Sequence, residues 1–405
     1  MTTTPAAGRH HHPGFMTGLS LLLPITLTTM AIVLLAPVVP GIMAEFRDVP
    51  GADYLVPMVL TTPALVVALL CPVAGMLGDW FGRRRLLIGS FGLYAIVGTA
   101  PVFLHDLRAI IAARVLVGVA EALIYVLSTT MIGDYWTGAA RDRWLAGQTA
   151  CASMSALVFF NLGGVLGEHG WRTPFWAYGA ALVMMALVVR FTWEPAAGHP
   201  DDEAEAPPHN ASWTGFPWGK MAMIVGITIY GSVFFYTVQI QASSGLALLG
   251  LTSPARIGFL TSVASIGVPL GTFVYSRVGR TRVGLLLLGE FALLAIGFLA
   301  MGEAKAVPLF LAGCFVNQLG AGLLLPTLLV WSMSILSFDV RGRGTGFWQS
   351  AFAFGQFLSP VVTTFVGRRT GGLQGAFVVL ALLALAGVAV AVLADRSAAR
   401  PAAAT

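Results

Sequence analysis

Arg114 and Glu121 lie seven residues apart in a stretch that is otherwise uncharged from residue 109 to residue 133. On an α-helix this spacing puts both side chains on nearly one face, about 10.5 Å apart along the axis. The separation exceeds the one-turn spacing of an ordinary helical ion pair. A carboxyl group in apolar surroundings near an arginine can bind and release a proton, so we predict that Glu121 couples to protons, assisted by Arg114. The alternative is a permanently charged structural pair between helices.

A second group of charged residues forms a short loop between two apolar stretches, from Gly75 to Arg85. Its glycines permit a tight turn and close helix approach. Its aspartate can pair with an arginine, or bond to a helix N-terminus, in one conformation and release it in another. The alternative role is to set topology and bind the phosphates of lipid headgroups. The residues that carry this chemistry are Gly75, Asp79, Gly82, Arg83, Arg84 and Arg85.

Uncharged polar and aromatic residues inside the apolar stretches are the remaining candidates for chemistry. Each could contact a bound small molecule, or only tie neighbouring helices together by hydrogen bonds and packing. We predict that a substrate cavity is lined by Tyr125, Asn161, Tyr230, Phe234, Gln239, Asn317, Gln318, Gln349 and Gln356.

The composition requires a membrane protein. Of the 405 residues, 57% are hydrophobic and 10% are charged, whereas charged residues approach a quarter of a soluble domain. Apolar runs of bilayer length predict an all-α polytopic fold with twelve transmembrane helices. The spans are predicted at about residues 19–40, 54–77, 86–104, 108–131, 144–167, 173–193, 219–243, 256–275, 283–302, 306–331, 345–367 and 372–394.

A polar, acidic segment with paired prolines divides the spans into six and six. The predicted units are an N-terminal tail (1–16), an N-terminal bundle (17–193), a linker (194–218), a C-terminal bundle (219–394) and a C-terminal tail (395–405). Gly279-Arg280-Thr-Arg282 repeats the pattern of Gly82-Arg83-Arg-Arg85 after 197 residues. Such a repeat indicates a duplicated transporter with its substrate site between the two halves.

The distribution of basic residues predicts the orientation. Ten arginines fall in the four short loops on the side of the termini, against seven basic residues in the six loops on the other side. Loops rich in arginine and lysine stay in the cytoplasm. Both termini, both tails and the linker are therefore predicted to be cytoplasmic, with the protein in a bacterial-type inner membrane.

The sequence resembles the major facilitator superfamily. The loop Gly75-x-Leu77-x-Asp79-x-x-Gly82-Arg83-Arg84-Arg85 matches the superfamily's signature between helices 2 and 3, and Arg114-x-x-x-Gly118 is similar to a second motif. Trp80, at a usually basic position, and Ser276, at the repeat equivalent of Asp79, depart from the pattern. The resemblance covers about residues 17–394. It implies two six-helix halves with pseudo-twofold symmetry, alternating access, and a latch at the loop that holds the outward-open state.

The segment from Arg114 to Ala122 also resembles helix 4 of spinster-like and organic-anion transporters. Drug–proton antiporters often carry a Gly-Pro pair in helix 5, and Asn161-Leu-Gly163-Gly164 keeps only the glycines of that pattern. Trp171-Arg172-Thr-Pro174-Phe175 does resemble the exporter-type loop. The resemblance therefore leaves the direction of transport open.

The predicted function is secondary transport, by a monomer in a lipid bilayer, of a small organic molecule. Proton-coupled efflux of an amphiphilic compound is favoured, and uptake of a small organic anion with Arg114 as its partner is the alternative. A non-transporting sensor or scaffold is an alternative of another class. Motifs of hydrolases, metalloproteases and nucleotide-binding loops do not occur in the sequence, so we expect no enzyme activity, cofactor, metal or nucleic acid.

Overall fold

The computed structural model describes residues 13–195, 216–334, 336 and 341–398. This part of the chain contains helices and turns and no β-strand. Within it, eleven helical segments are long and apolar enough to cross a membrane, and a shorter apolar helix at Leu373–Val388 stands in the twelfth position. The predicted all-α, twelve-helix architecture is confirmed. The histidines of the N-terminal tail and most of the acidic linker lie outside the described residues.

The N-terminal half begins with a span that proline residues divide. Proline lacks a backbone N–H and blocks the preceding turn, and the first span is interrupted before Ile25 and again at a 3₁₀ turn, Ala36–Val38. The helices of this half are α1 (Phe15–Leu22), α2 (Ile25–Val33), α3 (Val39–Glu45), α4 (Ala52–Phe81), α5 (Arg83–Thr99), α6 (Leu107–Tyr135), α7 (Gly138–Gly167) and α8 (Ala180–Phe191).

The C-terminal half repeats this arrangement with one break that the sequence did not predict. Residues 256–275 were expected to form one helix, but Ile266 separates two helices. A Cβ atom on the following Gly267 would lie 2.6 Å from the Phe315 carbonyl oxygen, so glycine lets two backbones touch there. The helices are α9 (Trp218–Leu248), α10 (Pro254–Ser265), α11 (Gly267–Val278), α12 (Val283–Gly302), α13 (Val307–Ser334), α14 (Arg341–Thr370) and α15 (Leu373–Ala398).

Each half has its own apolar core. One core is built almost wholly from α1 to α8, with Ile240 as its contribution from the other half. The second is built from residues 216–384. A small cluster of Val67, Ala68, Ala122 and Ala353 joins the halves. Two cores with a thin apolar contact between them allow the halves to move relative to each other as units.

The helices alternate in direction, which defines two faces of the bundle. We call the end where α1 begins, α8 ends and α9 begins the linker face, and the other end the opposite face. The halves pack through α4 against α14 and through α7 against α10. The linker face corresponds to the side predicted to be cytoplasmic.

The contact between α7 and α10 is a direct approach of two backbones. A Cβ atom on Gly258 would lie 2.3 Å from the Phe160 carbonyl oxygen, and one on Gly164 would lie 2.6 Å from the Pro254 carbonyl oxygen. Backbone atoms cannot rotate out of the way as a flexible side chain can. These glycines therefore let the halves close on each other near the opposite face.

Gly258→Ala should force the halves apart at the opposite face. Overpacking of a tight contact costs about 1–3 kcal/mol, which corresponds to a population shift of about fivefold or more. Double electron–electron resonance between spin labels at the ends of α7 and α10 would measure the distance distribution. Gly289→Ala is the matched control, because a Cβ atom there has no neighbour within 4 Å. An unchanged distribution in Gly258→Ala would contradict this account of the contact.

Candidate functional site

A cavity of about 230 Å³ lies between the two halves, near the middle of the bundle. Helices of both halves line it, so a molecule bound there touches both. Four of the predicted cavity residues line it: Tyr125, Gln239, Gln349 and Gln356. Glu121, the predicted proton-coupling residue, lines it as well. The other lining residues are Thr28, Thr29, Ile32, Val33, Ala64, Val67, Ala152, Ser153, Ala156, Phe235, Tyr236, Ser265, Val268, Pro269, Leu325, Phe352 and Ala353.

Glu121 is the charged residue of this cavity. Its side chain is only 6% exposed, and among the described residues its Oε2 atom has no hydrogen-bond partner. No lysine, arginine or histidine occurs among the described residues that line the cavity. Glu121 can therefore change the charge of the cavity by binding or releasing one proton.

The structure places Arg114 away from the cavity. It is fully buried, its Nε donates to the Val59 carbonyl at 2.8 Å, and its Nη2 donates to the Ala31 carbonyl at 2.9 Å. The guanidinium also lies 5.1 Å from the ring centre of Tyr178. In the described part of the chain no ion pair joins Arg114 to Glu121. Its contacts are those of an anchor that ties α6 to α4 and α2.

Three of the predicted cavity residues form a polar chain that begins at the cavity wall and continues behind it. Gln239 lines the cavity, and its Nε2 donates to Gln318 Oε1 at 3.3 Å. Gln318 contacts Asn317 Oδ1 at 3.5 Å, and Asn317 Nδ2 donates to the Leu294 carbonyl on α12 at 3.4 Å. Gln318 and Asn317 are buried and do not line the cavity. This chain connects the cavity wall to α12.

Three other predicted residues lie elsewhere in the bundle. Asn161 Nδ2 donates to the Leu157 carbonyl of its own helix at 2.8 Å. The Tyr230 hydroxyl donates to the Leu383 carbonyl on α15, and its ring packs against Phe234. Phe234 is buried in the core of the C-terminal half. These residues do not line the cavity.

The aromatic wall of the cavity includes Phe235, Tyr236 and Phe352, which are not among the nine predicted cavity residues. The rings of Phe235 and Tyr236 lie edge to face with their centroids 4.8 Å apart, and the centroids of the Phe352 and Tyr236 rings are 5.2 Å apart. Three consecutive aromatic residues, Phe234 to Tyr236, were a visible signal. To tell which of them face the cavity, one must know how α9 is oriented about its own axis, and the sequence does not specify this orientation.

The charged loop from Gly75 to Arg85 forms a compact network at the linker face. Arg83 donates from Nη2 to Asp79 at 2.8 Å and from Nη1 to Asp134 on α6. Gly82 has φ +85°, a conformation that favours glycine. The Arg84 backbone N–H donates to Glu194 at 3.2 Å. Arg83 thus ties the ends of α4, α5 and α6 together.

Other loop residues contribute less to this network. A Cβ atom on Gly75 would have only Val126 Cγ1 near it, at 4.0 Å. The Arg84 guanidinium donates to the Val189 carbonyl at 2.9 Å, and Arg85 is exposed. We did not predict Asp134 and Glu194 as partners. Both are acidic residues at the ends of apolar spans on the linker face, which is a usable signal.

The halves are hydrogen-bonded to each other at the opposite face. Arg368 on α14 forms a double contact with Asp53 on α4, at 2.6 and 2.7 Å. Glu168, just after α7, accepts from the Ser253 hydroxyl at 2.5 Å and from the Ala255 backbone N–H at 2.9 Å. Every direct hydrogen bond between the halves found in the described residues lies at this face. The cavity therefore lies between this seal and the linker face.

Glu168 caps the first turn of α10, a helix of the other half, where backbone N–H groups lack partners in the helix. The Ser253 hydroxyl and the Ala255 N–H hold the pKa of Glu168 below its usual value. A lowered pKa means that this contact is at full strength above the usual carboxyl pKa. It weakens as the pH falls through the lowered value, when the carboxylate gains a proton.

Acid on the opposite face, or Glu168→Gln, should therefore shift the molecule away from the sealed conformation. The shift should be modest, about two- to fivefold, because the contact is solvent-exposed. Spin-label distances across the α7–α10 contact would measure it as a function of pH. Asp106→Asn is the control, because Asp106 caps α6 within its own half. Equal effects of both variants would contradict a specific role for the Glu168 cap.

The fold and cavity define the class of protein: a membrane transporter built from two six-helix halves. The model of the Major Facilitator Superfamily matches residues 21–342, and the chain belongs to this superfamily. It is a transporter and not an enzyme.

Three similar proteins illustrate the relationship. The tetracycline resistance protein, class C, of Escherichia coli is 28% identical over 62% of this chain and 61% of its own length. The multidrug efflux pump LfrA of Mycolicibacterium smegmatis is 29% identical over 46% of this chain and 36% of its own length. Each alignment thus spans less than two thirds of the relative. A crystal structure of a bacterial homologue of the human lysosomal transporter spinster, inward-facing and unoccupied, has a TM-score of 0.78 and 16% identity and covers 94% of this chain and 96% of its own.

Proposed function

We propose that the protein exports a small amphiphilic compound in exchange for protons, with Glu121 as the proton-carrying group. The observation that carries this proposal is the buried Glu121 carboxyl on the wall of a central cavity shared by both halves. A proton on Glu121 and a positively charged or polar substrate would compete for the same cavity. Competition for one site is sufficient for exchange by alternating access.

The lining of the cavity supports an amphiphilic substrate. Phe235, Tyr236 and Phe352 offer apolar and aromatic surface, and Gln239 and Gln356 offer hydrogen bonds. Ligand sites commonly combine an apolar wall with a few placed polar groups. The relatives named as a tetracycline resistance protein and a multidrug efflux pump are consistent with this chemistry.

The alternative, uptake of an organic anion, depended on Arg114 as the partner of the anion. Arg114 donates to the Val59 and Ala31 carbonyls and is absent from the cavity wall. With Glu121 as the charged lining residue, the cavity favours cations and neutral molecules over anions. This arrangement weighs against the anion hypothesis.

We further propose that the linker face is cytoplasmic, as the distribution of arginines indicates. The seal formed by Asp53, Arg368 and Glu168 then closes the outer side, and the conformation described is inward-facing. In this conformation the charged loop is bonded within the N-terminal half. We infer that the loop latches the two halves together when the transporter turns outward.

Substrate-driven proton flux in proteoliposomes would test the proposed function. The wild type, screened with tetracycline, amphiphilic cations and small carboxylates, should move protons opposite to an amphiphilic compound. Glu121→Gln should abolish that flux, because the amide cannot release a proton, while leaving substrate binding measurable. Glu303→Gln, an exposed carboxyl at the end of α12, should behave like the wild type. Coupled flux that persists in Glu121→Gln would refute the assignment, and flux driven only by carboxylates would refute export of an amphiphile.

Arg83→Lys should weaken the latch and thereby lower the transport rate, and it should leave the residues that line the cavity unchanged. Lysine keeps the charge, but its compact ammonium cannot reproduce the planar donor set that contacts Asp79 and Asp134 together. We expect the transport rate to fall about two- to tenfold with unchanged substrate affinity. Arg85→Lys at an exposed position is the matched control. If both variants transport equally fast, the latch role of Arg83 is wrong.

A further inference from the structure

Glu290 on α12 is a second buried carboxyl group, and the proposed function does not use it. Its side chain is 1% exposed, and it does not line the central cavity or a second pocket, which lies at the opposite face beside Asp53 and Arg368. In the described part of the chain it has no ion-pair partner, and its Oε2 has no hydrogen-bond partner. A buried ionised carboxylate without a cation would be very costly in a membrane protein.

The hydrogen bonds around Glu290 indicate which partner carries the hydrogen. Thr327 Oγ1 on α13 lies 2.5 Å from Glu290 Oε1 and 2.9 Å from the Leu323 carbonyl oxygen. A threonine hydroxyl has one hydrogen, and a carbonyl oxygen can only accept. The two contacts form two separate two-centre hydrogen bonds when Thr327 donates to Leu323 and accepts from a protonated Glu290. The geometry therefore favours a carboxylic acid at this position.

We propose that Glu290 is a second proton-binding site, in the C-terminal half, and that it is occupied in the conformation described. The proton lies between Glu290 Oε1 and Thr327 Oγ1, at the contact of α12 with α13. This inference rests on the local geometry and is independent of the proposed role of Glu121. The ligand is a proton, and the site consists of the carboxyl group and the threonine hydroxyl.

The packing around Glu290 keeps other charged groups away. A Cβ atom on Gly320 would lie 3.0 Å from the Glu290 carbonyl oxygen, so α12 and α13 touch through their backbones. Two tyrosines are the titratable groups that neighbouring helices bring toward this region. Tyr275 comes from α11, and Tyr230 of α9 packs on Phe291. The described side chains of α15, from residue 373 to residue 388, include none that titrates. A cation that would hold Glu290 ionised is therefore missing from these described surroundings.

The proton on Glu290 is linked to the shape of α13 through Pro326. Pro326 lacks a backbone N–H, so the Gly322 carbonyl loses its partner within the helix. The Thr272 hydroxyl on α11 lies 3.1 Å from that carbonyl and 3.1 Å from the Val268 carbonyl of its own helix, so its one hydrogen serves both acceptors. The Thr327 hydroxyl supplies an additional bond to the adjacent Leu323 carbonyl. If Glu290 loses its proton, Thr327 must turn its hydrogen toward the carboxylate, and Leu323 loses that bond. Deprotonation should loosen α13 beside Leu325, a lining residue of the cavity.

Infrared spectroscopy of the purified full-length protein would test the proton site. At neutral pH the wild type should have a protonated-carboxyl carbonyl band that Glu290→Gln removes. Thr327→Val, which keeps the side-chain volume but removes the acceptor, should shift this band, and Thr327→Ser should restore its position. Glu121→Gln should leave the band in place, so the outcome is separate from that of the proposed function. If Glu290→Gln removes no such band, Glu290 is ionised and the proposal is overturned. If Thr327→Val leaves the band unshifted, the proposed hydrogen bond is wrong.

Spin labels on the linker-face ends of α12 and α13 would test the coupling to α13. Raising the pH should change the distance distribution in the wild type as Glu290 loses its proton. The change should be absent in Glu290→Gln, whose amide donates to Thr327 at every pH. A pH-dependent change of equal size in Glu290→Gln would show that another group is responsible. No change in the wild type, in a pH range where the infrared band disappears, would refute the link between the proton and the helix.

Discussion

The structure depends on one constraint: inside the membrane region backbone polar groups must find their partners within the protein, and a buried polar side chain without a partner is costly. Arg114 illustrates the constraint, because its fully buried guanidinium donates from Nε and Nη2 to two backbone carbonyls, on α4 and α2, and leaves Nη1 without a partner among the described residues. These bonds hold three helices of the N-terminal half in fixed relation. They also leave Glu121, two turns along the same helix, without an ion-pair partner among the described residues. On the same helix, Arg114 thus fixes the packing of neighbouring helices, and the Glu121 carboxyl is left outside that packing contact.

The two halves are related by repetition but divide the chemistry unequally. In the repeat register Gln318 stands where Glu121 stands in the first half, and it bonds to Gln239 and Asn317 behind the cavity wall. The C-terminal half places its own carboxyl, Glu290, at a helix contact away from the cavity. One half therefore offers a titratable group to the cavity, and the other holds one inside its packing.

Within the described residues, the direct hydrogen bonds between the halves lie at one face. Backbone approach at Gly164 and Gly258, together with the ion pair of Asp53 with Arg368, closes the opposite face. At the linker face the bonds of Arg83 to Asp79 and Asp134 lie within one half. Because each half keeps its own apolar core, the seal can open without unpacking either half.

The sequence by itself determined the class of fold, the number and positions of most helices, the duplication, and the identity of the unusual groups. Those conclusions follow from the lengths of the apolar runs and from the charged residues inside them, where burying a charge costs free energy. Both are properties of the amino-acid sequence alone. The break at Ile266 escaped prediction, because a backbone contact of Gly267 with α13 causes no change in composition. Only the tertiary structure decided that Tyr236 faces the cavity while Tyr230 faces α15, and that Arg114 bonds to carbonyls instead of substrate. Those outcomes depend on the rotation and spacing of packed helices, which a single helix's sequence does not specify.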